Sequence, residues 1–350
     1  MKEKRLKKRY FLRLFLAILS IMMLGIAGIA MKHYYRLEIS NFESKDGEAH
    51  GYHIYPGTSI EQVLVMMEED YDIGSRQDVM LHARLLHFNY PEPGYYEFES
   101  QLGNRSLIER LKIGDQTPIR ITWNNAIRTR EQLAGQVSSN LMMDSVTLLQ
   151  YLEDEAFLEQ YGMNKETSRC LFIPNTYEVY WTITPEQLFE RMDREFNTFW
   201  NLDRRDKAEA EGLTPVEVMI LASIIEGESR NKQELPIIAS LYLNRVHKGM
   251  LLQACPTVIY AVGDFKIRRV LYSHLKTDSP YNTYIYRGLP PGPIRCPSPQ
   301  AIDYVLNAPK TNYLYMCANP ELNGTHIFSS SFNAHINAAN EYHAMMDTLR

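Results

Sequence analysis

The hydrophobic pattern of the chain begins with one long apolar segment. Residues 11–31 read FLRLFLAILSIMMLGIAGIAM and contain a single charged side chain, Arg13. Wound as a helix, the part from Leu14 to Met31 would be about 27 Å long, close to the hydrocarbon thickness of a bilayer. The segment therefore predicts an uncleaved transmembrane helix. The alternative is a cleaved signal peptide, which would have a shorter apolar core and a clearer small-residue cleavage site.

After a polar stem at 32–45, the pattern over residues 46–118 alternates between short strands and helices. An amphipathic helix follows the Pro56-Gly57 turn, with Thr58 or Ser59 as its N-cap. A strand is predicted within 92–100, a second short helix closes at Gly114, and another strand follows within 117–123. This order is typical of a small α/β module.

Residues 119–350 form a larger predicted domain of mixed helix and strand. Two amphipathic helices are expected within 127–141 and 144–154, and a buried strand with a Pro174-Asn175 turn within 169–181. Thr184 and Thr214 each precede a proline and stand three positions before Gln187 and Glu217, which is the capping-box spacing. The predicted fold class is α+β throughout.

The helix after Thr214 is unusually apolar and ends in two carboxylates. Val218–Ile225 contains one polar residue, so the helix should be buried. Glu226 follows Ala222 by four positions and should emerge at the wall of the core. Desolvation, a neighbouring carboxylate and the negative helix end would each favour the protonated state that a general acid needs. The competing interpretation is an ordinary solvated helix end.

Glu226 and Glu228 do not form an obvious catalytic pair. A spacing of two positions on a helix is a rotation of about 200°, so the side chains point to different sides. Many glycosidases instead place two carboxyls on either side of one bond. The spacing favours one acting acid, Glu226, with Glu228 as a supporting residue.

A stiff, tyrosine-containing loop follows further along the chain. Six prolines lie within residues 279–302, together with Tyr281, Tyr284 and Tyr286. Proline restricts the backbone and tyrosine offers a flat face with a hydroxyl, which suits a preformed groove for a polymer of sugars. A loop that only braces two elements is the structural alternative.

Charge and composition exclude several classes of function. Residues 1–13 hold seven of the 37 Lys/Arg and one of the 42 Asp/Glu, so the rest carries a net charge of −11. This is no nucleic-acid footprint, which would need clustered Lys/Arg. The basic tail predicts that residues 1–10 stay in the cytoplasm, with everything after the anchor on the extracytoplasmic side.

Metal and nucleophile motifs are absent from the sequence. Cys170, Cys255, Cys296 and Cys317 show no CxxC or His/Cys spacing, and neither His326 nor His335 has metal ligands at a useful distance along the chain. We therefore expect hydrogen-bonded structural histidines, no metal and no cofactor. Whether the cysteines form disulfides or remain thiols is left open.

Four ordered motifs resemble those of the YceG-like endolytic murein transglycosylases. They are LASIIEGES, IIASLYLNRVHKGMLLQACPTVIYAVGD, YNTYIYRGLPPGPI and THIFSSSFNAHIN, and the resemblance runs from about Gly51 to the C-terminus. It implies a membrane-tethered enzyme that cuts peptidoglycan strands internally, with peptidoglycan synthases as candidate partners. It also implies a LysM-like module over 46–118 and a catalytic domain over 119–350.

The resemblance aligns Glu226 with the catalytic glutamate of the family. The residues that we expect to line a glycan groove are Gln253, Tyr281, Asn282, Thr283 and Tyr284, and the expected supporting residues are Glu228, Asn244 and Arg245. The chain departs from the family at Cys255, where many members carry Asp, and at EGES, which replaces the commoner E-K-E-T. A non-catalytic peptidoglycan-binding scaffold is the alternative function, and a hydrolase is a nearer one.

Overall fold

The computed structural model describes residues 2–38 and 40–348, which divide into two compact units. The first unit extends to Ile119 and includes Val179–Thr182, and the second contains Arg120–Glu178 and the chain from Ile183 onward. The predicted tail includes Met1 and the predicted stem includes residue 39, and both residues lie outside the described part. The domain limits set out above stay predictions.

The first element is helix α1, Lys2–Glu38, which extends beyond the predicted span of 11–31 at both ends. Its segment Tyr10–Arg36 is long and apolar enough to cross a membrane, and the side chains there are exposed. Exposed apolar side chains on a helix of this length are favourable in lipid and unfavourable in water. Among the described residues it is the one helix that could span a bilayer, and its position suggests a membrane anchor.

The rest of the first unit is a small α/β module. Its elements are β1 (Ser40–Ser44), β2 (His50–Ile54), α2 (Ile60–Met67), β3 (Tyr71–Ile73), α3 (Arg76–Leu85), β4 (Gly94–Phe98), β5 (Gln101–Gly103) and α4 (Asn104–Ile113). Strand β1 pairs antiparallel with β3 and β5, and β2 pairs antiparallel with β4. The LysM-like assignment of this module stays a prediction.

Local signals in the first unit account for its helix ends. Ser59 caps α2 in a capping box with Gln62, and the apolar face of that helix is buried as predicted. Gly114 closes α4 in the left-handed conformation, with φ 72°, as the sequence also predicts. Helix α3 and the three strands of the β1 sheet were not predicted, because each is short and only weakly patterned.

The second unit contains most of the helices. Its elements are β6 (Ile119–Thr122, whose first residue belongs to the first unit), α5 (Arg130–Ser138), α6 (Ser145–Glu153), α7 (Glu155–Glu159), β7 (Thr176–Val179, whose last residue belongs to the first unit), α8 (Pro185–Phe199), α9 (Leu202–Ala210), α10 (Pro215–Glu228), α11 (Leu235–His247), α12 (Cys255–Val262), α13 (Pro299–Leu306), β8 (Tyr315–Ala318), β9 (His326–Ser329) and α14 (Phe332–Thr348). Strand β6 pairs with β7, and β8 pairs antiparallel with β9. The mixture of helix and strand confirms the α+β class.

One predicted strand is shorter than expected. The chain over Ser168–Leu171 forms a 3-10 turn, and the strand β7 begins only at Thr176. Pro174 lies between the two and has no N–H to donate to a strand partner. The prediction of one continuous strand with a turn was therefore wrong for its first half.

Helix α10 is the centre of the second unit. All residues from Val218 to Ile225 are buried, and the helix packs against α11, α12 and α13. Its single polar core residue, Ser223, donates to the Ile220 carbonyl and accepts from the Ile294 backbone N–H. The prediction of a buried helix is confirmed, and its burial fixes the position of the carboxylates in its last turn.

We expect the capping box of α10 to contribute measurably to stability. Thr214 Oγ1 accepts from the Glu217 N–H at 3.2 Å, and Glu217 Oε2 accepts from the Thr214 N–H at 2.7 Å. Thr214→Ala should lower the free energy of unfolding by about 1 kcal/mol in urea titrations. Thr214→Ser retains the hydroxyl and should lose much less; equal losses in the two variants would contradict this role.

Candidate functional site

The Glu226 carboxylate is held by three donors from two distant parts of the chain. Asn125 Nδ2 donates to Oε1 at 2.8 Å. The Ser298 backbone N–H donates to Oε2 at 3.2 Å, and its hydroxyl donates to Oε1 at 2.5 Å. Glu226 is half-buried at the end of the buried face, which confirms the predicted position at the wall of the core. Its orientation is therefore fixed from both sides.

Ser298 connects Glu226 to the start of another helix. It is the N-cap of α13, and its Oγ accepts from the Ala301 N–H at 3.2 Å while its hydrogen is directed to Glu226. The positive end of α13 thus lies against the carboxylate. Asn125 lies in the turn that follows β6. Neither residue was predicted as part of the site, although Ser298-Pro299 does carry a helix-start signature.

Glu228 has an entirely different environment from Glu226. Tyr242 Oη donates to Glu228 Oε1 at 2.7 Å. Burial raises the pKa of the Glu228 carboxyl to about 7, while that hydrogen bond and the charges of His326 and Arg245 act in the opposite direction. The two glutamates share no partner, as the two-position spacing predicts. The expected protonation state of Glu226 stays a prediction.

The two supporting residues on α11 connect that helix to neighbouring loops. Asn244 Nδ2 donates to the carbonyls of Thr311 and Tyr313 at 2.9 and 3.0 Å. Arg245 is buried and donates to the Leu314 carbonyl at 2.6 Å and to the Leu252 carbonyl at 2.8 Å. Arg245 Nη1 also lies 3.3 Å from Gln253 Oε1. These contacts hold α11 against the neighbouring loops, and the supporting role of both residues stays a prediction.

The five predicted groove residues divide into a buried frame and an exposed part. Asn282 and Thr283 are buried: Asn282 donates to the carbonyls of Leu275 and Thr277, and Thr283 Oγ1 lies 2.8 Å from Thr257 Oγ1. Such saturated, buried side chains hold the loop in shape and have little surface left for a ligand.

The other three groove residues differ in exposure. Tyr281 is largely buried and donates to Glu166 Oε2 at 2.7 Å. Tyr284 is half-buried, and Gln253 is exposed in the left-handed region with φ 51°. Gln253 N–H donates to the Thr283 carbonyl at 3.0 Å, so the buried frame holds the exposed residue.

Cys255, the point of departure from the family pattern, is the exposed first residue of α12. Its Sγ lies 3.4 Å from Tyr284 Oη. All four cysteines are free thiols in the structure, with Cys170 and Cys296 buried. A thiol at position 255 is a weak hydrogen-bonding group and takes no part in the cluster that holds Glu226.

A small pocket opens next to Glu226. Gly227 lies in its wall, with Pro256, Tyr260 and Phe265 from the α12 region and the guanidinium-bearing residues Arg128 and Arg295. The space within it is about 60 Å³. A Cβ on Gly227 would come within 2.8 Å of Pro256 Cβ, so only glycine allows α12 to approach this closely. No local sequence pattern predicts this pocket, since its residues come from separate segments of the chain.

The two histidines considered in the sequence have structural roles. His326 donates its backbone N–H to Glu234 Oε1, and its Nδ1 lies 2.9 Å from Glu234 Oε2, which confirms a hydrogen-bonded histidine. His335 instead stacks on Tyr315 at 5.4 Å, and among the described residues its buried Nδ1 has no hydrogen-bond partner, so that expectation was wrong. Across residues 2–38 and 40–348, no three His, Cys, Asp or Glu side chains cluster as metal ligands would.

The chain belongs to the YceG-like family, whose sequence pattern it matches over residues 52–341. It is 27% identical over 302 residues to an endolytic murein transglycosylase of Bacillus subtilis, which covers 82% of each chain. It is 23% identical over 299 residues to an endolytic murein transglycosylase of Streptococcus pneumoniae. That match covers 75% of this chain and 53% of the relative, so the chain spans about half of the streptococcal protein.

A solved structure has a similar fold. A YceG-like protein of Listeria monocytogenes superposes with a TM-score of 0.53 at 24% identity, covering 83% of this chain and 98% of that one. At this identity the likeness supports the fold alone. The sequence match over residues 52–341 confirms the family resemblance that the four motifs indicate.

The raised pKa of Glu228 predicts a pH-dependent stability. The folded carboxyl keeps its proton up to about pH 7, whereas its ordinary pKa is 4.5, so the folded state binds more protons between these values. Stability should therefore fall as pH rises through this window, by roughly 3 kcal/mol. Glu228→Gln, which is neutral at every pH, should remove that part of the slope in urea titrations at pH 5 and pH 8.

Glu209→Gln on the exposed face of α9 serves as the matched control and should keep the wild-type slope. A slope that is the same in the Glu228→Gln variant as in the wild type would show that Glu228 ionises normally in the folded protein.

Proposed function

We propose that the chain is a membrane-anchored endolytic lytic transglycosylase of peptidoglycan. It would cleave the bond between N-acetylmuramic acid and N-acetylglucosamine in nascent glycan strands and leave 1,6-anhydromuramic ends. Family membership and two relatives named endolytic murein transglycosylases support the reaction class. The observation that carries the proposal is the single oriented carboxylate of Glu226, one residue from the pocket wall.

In the proposed reaction Glu226 acts first as an acid and then as a base. Its proton goes to the bridging oxygen while the bond from that oxygen to C1 of the muramyl ring breaks. The muramyl 6-hydroxyl then forms a bond to C1, and its proton returns to Glu226. Atoms balance without water or any cofactor, and the glutamate is regenerated in its starting state.

An internal nucleophile explains why one carboxylate is enough. The attacking hydroxyl belongs to the same ring as C1, so proximity replaces the second carboxylate that would otherwise position water. Glu228 is bonded to Tyr242 and shares none of the partners of Glu226, which fits a supporting role. The donors Asn125 and Ser298 hold the acting carboxylate in one orientation through both proton transfers.

Sugar contacts are best assigned to the two more accessible of the predicted groove residues. Gln253 and Tyr284 offer an amide and an aromatic face, while Tyr281, Asn282 and Thr283 act as the frame behind them. Asn244 and Arg245 anchor that frame from α11. In this proposal two of the five predicted groove residues contact the glycan and three support them.

An N-terminal anchor would hold this activity at the membrane surface. With the basic residues in the cytoplasm, the chain after α1 would lie outside the plasma membrane, where new strands emerge. Peptidoglycan synthases at that surface are the proposed partners.

Digestion of purified glycan strands tests the proposal. Wild type should release fragments with anhydro ends, and Glu226→Gln should lower the rate by about 100-fold or more, the usual contribution of general acid–base catalysis. Glu209→Gln on α9 should retain full activity. Mass spectrometry reads the outcome directly, because an anhydro product is lighter than a hydrolysis product by one water.

Products with reducing ends would show a hydrolase instead. Strand binding without any cleavage by wild type would favour the non-catalytic scaffold. Equal rates for wild type and Glu226→Gln would remove this residue from the chemistry.

A further inference from the structure

We propose that Arg128 and Arg295 form an anion-binding pocket beside Glu226 that takes a carboxylate group of the substrate. The inference rests on the proposed function for the identity of the substrate, and on the pocket itself for the chemistry of the group. A carboxylate is available on peptidoglycan from two sources. One is the lactyl ether of each muramyl ring when it carries no peptide, and the other is the peptide stem.

Among the described residues, the two arginine side chains have no hydrogen-bond acceptor and no ion-pair partner. Among the described residues, no carboxylate oxygen lies within 4.0 Å of either guanidinium, and neither guanidinium donates a hydrogen bond. Arg295 Nε is buried without a partner. A buried polar group left unpaired costs free energy, and the cost is larger for a charged one. The arrangement is therefore explained by a ligand that supplies the missing acceptor.

The two positive charges also act on each other. Burial lowers the pKa of Arg295, the charge of Arg128 adds to this effect, and Glu226 acts in the opposite direction. Two like charges that share a half-buried pocket attract an anion strongly, because the local dielectric constant is below that of water. The rest of the chain after residue 13 carries a net charge of −11, so only a local cluster of this kind would draw in an anionic polymer.

The pocket has room for a small group. Its accessible space of about 60 Å³ exceeds the roughly 10–15 Å³ that one water molecule needs, so a carboxylate fits. Arginine presents a planar fork that matches a carboxylate with two parallel hydrogen bonds. The acidic substituent of the sugar would enter the pocket and pair with these donors.

The pocket walls are held rigid by a third arginine. Arg169 is fully buried and donates to the carbonyls of Arg128 and Pro293 and, at 2.9 Å, to Tyr260 Oη. It thus joins the backbone of one lining arginine to the chain segment that carries the other. The Arg128 guanidinium lies 4.9 Å from the centre of the Phe265 ring, which orients it further. Such fixed donors need little reorganisation when an anion binds.

The location links the pocket to the chemistry. Gly227 forms part of its wall and directly follows Glu226. A carboxylate held there would fix the muramyl ring relative to the acid, so the ring next to the bond being broken would be the one that bears the acidic substituent. The pocket would thereby distinguish muramyl from glucosaminyl rings, which carry no carboxylate.

Binding measurements with full-length protein in detergent test this inference. The three probes are glycan strands without peptides, strands with peptide stems, and chitin oligosaccharides, which lack any carboxylate. Arg295→Gln and Arg128→Gln should each weaken binding of a carboxylate-bearing strand by about 10-fold to 100-fold, the usual effect of losing a charge-assisted hydrogen bond. Both variants should bind chitin oligosaccharides as wild type does, which also shows that they are folded.

Two further variants sharpen the result. Arg295→Lys keeps the charge but loses the planar fork, so it should bind with intermediate affinity. Arg194→Gln removes an exposed arginine on α8 and should change nothing. Loss confined to peptide-free strands assigns the pocket to the lactyl carboxylate, and loss confined to peptide-bearing strands assigns it to the stem.

The proposed pocket is refuted if wild type and both glutamine variants bind each probe with the same affinity, or if none of the three proteins binds any probe. It is also refuted if the variants lose affinity for chitin oligosaccharides as much as for carboxylate-bearing strands. Binding requires no turnover, so the outcome is independent of the reaction. An inactive protein with Arg295-dependent strand binding would uphold the pocket and refute the proposed cleavage. A protein that cleaves strands to anhydro ends but binds them equally well without the Arg295 side chain would support the proposed cleavage and refute the pocket.

Discussion

Burial of α10 is the constraint on which the site depends. A helix that is apolar on all sides cannot remain in water, so the second unit packs α11, α12 and α13 around it. The first polar side chains after such a segment must emerge where this packing ends. Glu226 lies there against the first residues of α13. Gly227 has no side chain, and Pro256 of α12 packs so closely against it that a Cβ there would clash. The hydrophobic core therefore determines where the charge is held.

The two glutamates at the end of α10 show how environment separates chemically identical groups. Glu226 faces three donors and remains half-buried, while Glu228 is bonded to Tyr242 and its pKa is raised to about 7 by burial. Helical geometry alone directs them apart, because two positions correspond to about 200° of rotation. The local partners then give each carboxyl its own character. A pair of facing carboxylates could not have been produced from this spacing without breaking the helix.

What the sequence could predict was local, and what it could not predict was brought together by folding. Capping at Ser59, Thr184 and Thr214 and the burial of α10 follow from patterns within a few residues, and all are confirmed. Asn125 lies 101 positions and Ser298 lies 72 positions from Glu226, so no local pattern relates them. The buried state of Asn282 and Thr283 was missed for the same reason. A polar residue in a loop is predicted to be exposed, because the sequence alone does not show the tertiary partners that bury it.

The arginines around the pocket are a second group of residues that only folding brings together. Arg128, Arg169 and Arg295 are far apart in the chain, yet three guanidinium groups meet around one small region, with no ion pair among the described residues for any of them. Stability alone does not explain this, since apolar side chains of similar volume would fill the space without the desolvation of charge. An unfavourable charge arrangement that persists next to an oriented carboxylate is better explained by what it binds. In this proposal the positive cluster binds the ring that carries an acidic substituent, and Glu226 acts on that same ring.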